Sequence, residues 1–141
     1  MNRSYYTILL LLLLLGACPF AKAQNILQDT VTWNSTRAVG QVNNDELNYN
    51  CQFITRTNQS IDWIQKNGAR VNHFNVTSVD GTWTNAAVDG QLVYHVAMNN
   101  FTGDVTLSRA SGQTTIHLNI SEGGQSGMNY VFYIASIQAG Q

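Results

Sequence analysis

Alternation of apolar and polar residues with a period of two dominates the chain. In the segment 47–53, every second residue is apolar, and the same pattern recurs in 91–99, 103–109 and 113–121. Successive side chains of a β-strand point to opposite faces, so this period indicates strands with one buried and one wetter face. Met128–Ile137 is apolar at both alternating sets of positions, which indicates a central or closing strand.

Turn-forming pairs separate these segments. Asn67–Gly68, Asp80–Gly81 and Asp89–Gly90 are hairpin signals, because both central positions of a type I′ turn need positive φ. The pairs Ser111–Gly112 and Gly123–Gly124 mark two further turns. The candidate strands are about 29–34, 46–56, 60–66, 69–79, 82–85, 91–99, 103–109, 113–121 and 127–138. We predict a single all-β domain, an antiparallel meander of about eight strands that forms a calycin-like barrel or a sandwich.

The segment Ser60–Lys66 allows two interpretations. It fits a short helix with Ser60 as the N-cap and Gly68 just past the end. It also fits a hairpin strand, because Asn67–Gly68 leads directly into the next alternating segment. We favour the strand.

The first residues resemble a secretory leader. Arg3 precedes the apolar run Ile8–Leu15, and Ala21-Lys22-Ala23 forms an A-x-A cleavage pattern before Gln24. This run is shorter than the roughly 20 apolar residues that span a bilayer, so no membrane span is expected. We therefore assign residues 1–23 to a signal peptide and residues 24–141 to the β-domain, and expect a secreted or periplasmic protein.

A second processing route starts at Cys18. Leu15-Gly16-Ala17-Cys18 resembles the lipobox of bacterial lipoproteins, in which the cysteine sulfur receives a diacylglycerol. Cleavage before Cys18 would leave the protein lipid-anchored at the membrane. The alternatives are therefore a free chain that begins at Gln24 and a tethered chain that begins at Cys18.

The net charge bears on which classes of macromolecule the protein can bind. Beyond residue 23, five basic residues face eight acidic ones, which gives a net charge of −3. Because phosphate neutralisation needs a basic patch, we expect no binding to nucleic acid. A weakly charged surface does little to oppose self-contact, so a homo-oligomer is compatible with the sequence.

The sequence predicts no catalytic, metal or cofactor site. His73, His95 and His117 are the candidate zinc ligands, but the expected hairpin around 100–102 places His95 and His117 about 14 Å apart, too far to share an ion. Cys51 has no nearby histidine motif and falls in the apolar phase of its segment, which predicts a buried, inert thiol. Adjacent carboxylates such as Asp45 and Glu46 point to opposite faces of a strand. We therefore predict a protein that is not an enzyme.

The pentapeptide Gly81–Asn85, GTWTN, resembles the G-x-W-x-N signature of the avidins, and the related lipocalins carry G-x-W. In both families the motif lies on the first strand of an eight-stranded barrel that holds a small ligand. In this chain only 56 of the 141 residues follow Asn85, which is room for about four strands rather than seven. The resemblance therefore assigns no binding residue.

The aromatic residues are the remaining candidates for binding. Trp33, Trp63 and Trp83 lie among polar neighbours, and Tyr94 falls on an apolar strand face. Exposed tryptophan rings stack on sugars or anchor interfaces, whereas buried ones pack in cores. We expect a non-catalytic exported module that uses these four residues to bind a small apolar or glycan-like ligand. The alternative is a structural or self-associating protein of the cell surface or extracellular space.

Overall fold

Eight strands make up most of residues 25–140, the part of the chain that the computed structural model describes. The proposed cleavage sites and Cys18 lie outside the described residues. The strands are β1 (Thr30–Gly40), β2 (Glu46–Arg56), β3 (Ser60–Gln65), β4 (Arg70–Asp80), β5 (Gly90–Met98), β6 (Phe101–Ala110), β7 (Gln113–Glu122) and β8 (Gln125–Ala139). A short 3₁₀ turn, Lys66–Gly68, joins β3 to β4. In this part of the chain, no helix is long and apolar enough to cross a membrane.

Each strand pairs antiparallel with its neighbours in sequence, and β1 also pairs with β8 to close a barrel. The closing pair runs from Val31 opposite Ala139 to Gly40 opposite Tyr130. The all-β antiparallel meander is thus confirmed, and of the two expected architectures the chain adopts the barrel. Closure leaves the described sheet without a free edge.

The alternating apolar side chains of the strands fill the interior of the barrel. Along β1 and β3 every second side chain is buried, and β7 follows the same rule. The bulkiest buried residues come from all parts of the sheet and include Trp33, Phe53, Phe74, Tyr94, Leu107, Leu118 and Phe132. Their side chains form one continuous apolar core, as expected when alternating faces of a closed sheet turn inward.

Of the two interpretations of Ser60–Lys66, the favoured strand is confirmed, over Ser60–Gln65. Two other local expectations change. Residues 82–85, expected as a strand, belong instead to a nine-residue loop, 81–89, because Asp80–Gly81 and Asp89–Gly90 end and start strands rather than make tight hairpins. β1 continues to Gly40, well past the expected end at residue 34, through a β-bulge between Ser35 and Arg37.

The loop 81–89 plugs one end of the barrel, which we call the closed end. Trp83 is 6% exposed and its ring centroid lies 6.3 Å from that of Trp33. The Ile26 amide donates to the Thr84 carbonyl at 2.9 Å, and Ile26 itself is fully buried. The start and the finish of the described chain both lie here, since Gly140 N donates to the carbonyl of Thr30.

Candidate functional site

The opposite end of the barrel, which we call the open end, contains a pocket of about 250 Å³. The turns 41–45, 66–69, 99–100 and 123–124 surround this end. Strands β1, β2, β3, β4 and β8 supply the pocket walls. We call this space the open-end pocket.

Aromatic and aliphatic side chains form most of the open-end pocket. Trp63 and Phe132 meet edge to face with centroids 5.4 Å apart, and Tyr130 lies 6.2 Å from Phe132. Phe53, the cross-strand partner of Trp63, stacks against that indole at 5.8 Å with an interplanar angle of 2°. The aliphatic part of the lining consists of Ala38, Leu47 and Met128. Such contacts fix the rings rigidly, so the pocket has preformed apolar walls.

One wall of the open-end pocket is polar. Gln65 ends β3 and is directly opposite Arg70, the first residue of β4. The Tyr49 hydroxyl donates to Gln65 Oε1 at 2.5 Å. Burial raises the pKa of the Tyr49 hydroxyl, and the nearby positive charge of Arg70 partly offsets that rise. Arg70 is the one charged residue in the described lining of this pocket.

Three buried nitrogen donors on β3 and β4 have no oxygen or nitrogen acceptor among residues 25–140. They are Trp63 Nε1, Gln65 Nε2 and Asn72 Nδ2. Trp63 and Gln65 line the pocket, whereas Asn72, the cross-strand partner of Trp63, lies next to them but outside the lining. Buried donors are almost always paired in folded proteins, and an unpaired one costs about 1–3 kcal/mol. This concentration of unpaired donors marks the wall as a place where a ligand could supply acceptors.

The four residues that the sequence suggested for ligand binding do not form one site. Trp63 lines the open-end pocket. Trp33 is fully buried, and its indole donates to Thr55 Oγ1 at 3.1 Å. Trp83 plugs the closed end and donates to the Val88 carbonyl at 2.9 Å. Tyr94 is 1% exposed in the core, where burial raises its pKa to about 12.

Sequence reasoning missed most of the pocket. Tyr49, Gln65, Arg70, Tyr130 and Phe132 were not assigned to binding, although all five line it. Gln65 was detectable, because it continues the inward phase of Ile61 and Trp63 as a buried polar residue. The other four residues line a pocket only because the loop 81–89 fills the opposite end of the barrel. No pattern in the sequence tells which end is filled.

Cys51 lies on β2 directly opposite Gln65 and is buried, as its alternation predicted. Burial raises the pKa of its thiol to about 11, while weak hydrogen bonding to the thiol sulfur from the Trp63 and Ser35 side chains acts in the opposite direction. At neutral pH the thiol is therefore protonated and a poor nucleophile.

The three histidines lie apart on the outer face, and each has its own partner. His95 lies between Asp104, 2.7 Å from Nδ1, and Asp80, 2.9 Å from Nε2. His73 contacts Asp62, and His117 contacts Asn129. The hairpin turn is Asn99–Asn100 rather than the expected 100–102, and His95 pairs with Asp104.

These acidic and histidine side chains make separate cross-strand contacts and do not form a metal-coordination site. Within residues 25–140, no group of three or more His, Cys, Asp or Glu side chains is arranged to hold a metal ion. Burial acts to raise the pKa of Asp62, but hydrogen bonds from Arg56 and His73 outweigh it and lower that pKa. The outer-face pairs therefore join neighbouring strands and leave the open-end pocket as the candidate site.

Comparison with known proteins adds no relative: no family model, curated protein or solved structure matches the chain. Function must therefore be argued from the site alone.

Proposed function

We propose that the protein is an exported, non-catalytic binding module that holds a small ligand with an apolar body in the open-end pocket. The observation that carries this proposal is the asymmetry of the barrel interior. Trp83 and Ile26 are packed into the closed end, whereas the open end keeps a ring-lined space of about 250 Å³. Small-molecule sites are typically preformed, mostly apolar pockets with a few polar groups, and the mouths of β-barrels are common places for them.

The lining favours an apolar ligand over a sugar. A sugar needs hydrogen-bond partners on several sides, but most polar groups of this pocket lie on one wall, at Tyr49, Gln65 and Arg70, and the Tyr130 residue of β8 adds a single hydroxyl. The remaining walls are rings and aliphatic groups, which stabilise apolar surface at about 25 cal/mol per Å² buried. A ligand with an apolar body and one polar end fits this division.

The fold also bears on the alternative of a structural, self-associating protein. Strands associate most readily through unpaired edges, and the pairing of β1 with β8 removes those edges from the described sheet. Export remains an expectation from residues 1–23. The described chain starts at the closed end, so both a free chain from Gln24 and a tether at Cys18 are compatible with an unobstructed pocket.

Titration with 3-phenylpropanamide, a neutral single-ring probe, tests the proposal by calorimetry. We expect saturable binding with a dissociation constant on the order of 0.1–4 mM, since a ligand of this size gains roughly 0.3–0.5 kcal/mol per heavy atom. Leu47→Trp adds bulk at the pocket and should weaken binding at least about tenfold, because the probe loses its space.

Val88→Trp is the matched control. Leu47 and Val88 are both exposed aliphatic residues, at 45% and 52%, but Val88 lies in the closed-end loop. This variant should bind the probe as the unmodified protein does. Absence of saturable binding by the unmodified protein, or equal weakening by both variants, would contradict the proposal.

A further inference from the structure

We propose that the ligand of the open-end pocket is a small carboxylic acid whose carboxylate is bound by Arg70 and Gln65. This inference rests on the proposed binding function and names the chemical class of the ligand. It is carried by the polar wall of the pocket, where every unpaired group is a donor and the one charge is positive.

Gln65 defines what the ligand must supply. Its side chain lines the pocket but the residue is only 5% exposed, so water reaches it poorly. Its Oε1 already accepts the hydrogen bond from Tyr49, which leaves the Nε2 donor without a partner. An acceptor atom on the ligand would satisfy this donor, whereas a second donor or an apolar group would leave the desolvation cost in place.

Arg70 adds charge to the same position. It lies directly opposite Gln65 in the β3–β4 pair and also lines the pocket. It has no ion-pair partner among the described residues; the ion pairs found there join Arg37 to Glu46, Arg56 and His73 to Asp62, and His95 to its two aspartates. A guanidinium next to an amide donor matches the two oxygens of a carboxylate better than a neutral carbonyl.

Negative charge near the mouth favours one orientation of the ligand. Asp45 and Glu46 line a neighbouring depression on the β1–β2 side, and Glu46 is paired with Arg37. Neither residue lines the open-end pocket. A carboxylate is therefore attracted to the β3–β4 wall and repelled from the β1–β2 side, which leaves the apolar body against Phe132 and Tyr130.

The volume limits the size of the apolar body. A cavity of about 150 Å³ lined by apolar residues accommodates benzene. The open-end pocket, at about 250 Å³, has room for one ring and a short acidic side chain, or for a short aliphatic acid of equal volume. Larger ligands would extend beyond the mouth.

The test compares two probes of nearly equal shape, 3-phenylpropanoate and 3-phenylpropanamide, at pH 7.5. The acid should bind the unmodified protein about tenfold more tightly than the amide, because charge-assisted hydrogen bonds are roughly twice as strong as neutral ones. Arg70→Gln should remove this preference and change the affinity for the amide by less than about twofold. Because Arg70 is exposed, the substitution is expected to leave the fold intact.

Lys66→Gln is the matched control. Lys66 is an exposed cation at the same end of the barrel, but it does not line the pocket. This variant should keep the preference for the acid, which would separate direct contact from a general effect of charge. Equal binding of acid and amide to the unmodified protein would overturn the carboxylate inference alone, as would loss of the preference in both variants. Failure of both probes to bind would overturn the proposed function as well.

Discussion

Tryptophan side chains lie at both ends of the barrel, but their surroundings differ. At the closed end, Trp33 and Trp83 pack together, and each indole N–H has an oxygen acceptor. At the open end, Trp63 is as buried as Trp83, but its indole N–H and the neighbouring Gln65 amide N–H have no oxygen acceptor among the described residues. A tryptophan with a satisfied polar group indicates a packing role, whereas unsatisfied donors beside a cavity indicate a binding site. The predictions below test this contrast, from the largest expected effect to the smallest.

Truncating the buried indoles should give unequal losses of stability. Trp33→Ala should lower the free energy of unfolding by about 3–5 kcal/mol, because it empties a filled part of the core. Trp63→Ala should cost less, about 2–3 kcal/mol, since the removed volume joins an existing pocket. Urea unfolding measures both, with Thr32→Ala on the outer side of β1 as the control. Equal losses at the two positions would remove the distinction between the ends.

Tyr94 tests an unpaired polar group that lies away from the pocket. Burial raises the pKa of its hydroxyl from 10 to about 12. The folded-state pKa exceeds the unfolded value, so this contribution to stability is complete below pH 10 and is lost as the pH rises to 12. Two pKa units correspond to about 2–3 kcal/mol.

Tyr94→Phe should therefore flatten the decline in stability between pH 10 and pH 12. At pH 7 it should raise the free energy of unfolding by about 1–3 kcal/mol, because it removes a buried hydroxyl that has no partner in the described chain. Urea unfolding across this pH range measures both effects. A loss of stability at pH 7 would show that the Tyr94 hydroxyl is hydrogen-bonded in solution, which would contradict its unpaired state.

Substituting one glycine at each end of the barrel compares how well the two ends tolerate added volume. A Cβ at Gly90 would lie 2.1 Å from Trp83 Cδ1, so Gly90→Ala should displace the closed-end plug and cost about 1–3 kcal/mol. A Cβ at Gly40 would meet its nearest atom, on Tyr130 at the open end, at 3.6 Å, an ordinary contact. Gly40→Ala should therefore change stability by less than about 0.5 kcal/mol. Thermal unfolding of the two variants checks this, and a reversed order would contradict the assigned packing.

The smallest predicted effect concerns the contacts of His95 with two aspartates on the outer face of the barrel. Hydrogen bonds from His95 to Asp80 and then Asp104 raise the pKa of the imidazole. A raised folded-state pKa means that the stabilisation is complete below about pH 6.5 and disappears as the pH rises through the folded-state value. Asp80→Asn should lower the pKa of His95 in an NMR titration, and Asp89→Asn, in the closed-end loop, should not. An unchanged His95 titration in Asp80→Asn would show that this pair does not form in solution.

Much of the fold was predictable because alternation reports directly on strands with one buried face, although it left the choice between a barrel and a sandwich open. The segments 46–56 and 113–121 were placed within a residue or two of β2 and β7. The loop 81–89 was missed because Gly81 and Gly90 look like hairpin glycines, whereas Gly90 is required by the close approach of Trp83. The pocket itself depends on which end of the barrel that loop fills, a tertiary property that no local pattern encodes.

The most direct test of the contrast between the ends follows the three indole N–H signals in a ¹H–¹⁵N NMR spectrum. Titration with 3-phenylpropanoate should shift the Trp63 signal, which Trp63→Phe would assign by its loss. The Trp33 and Trp83 signals should stay in place, because their rings lie at the closed end and their donors are already paired. A shift confined to Trp83 or Trp33, or no shift at saturating probe, would contradict the assignment of the open-end pocket as the binding site.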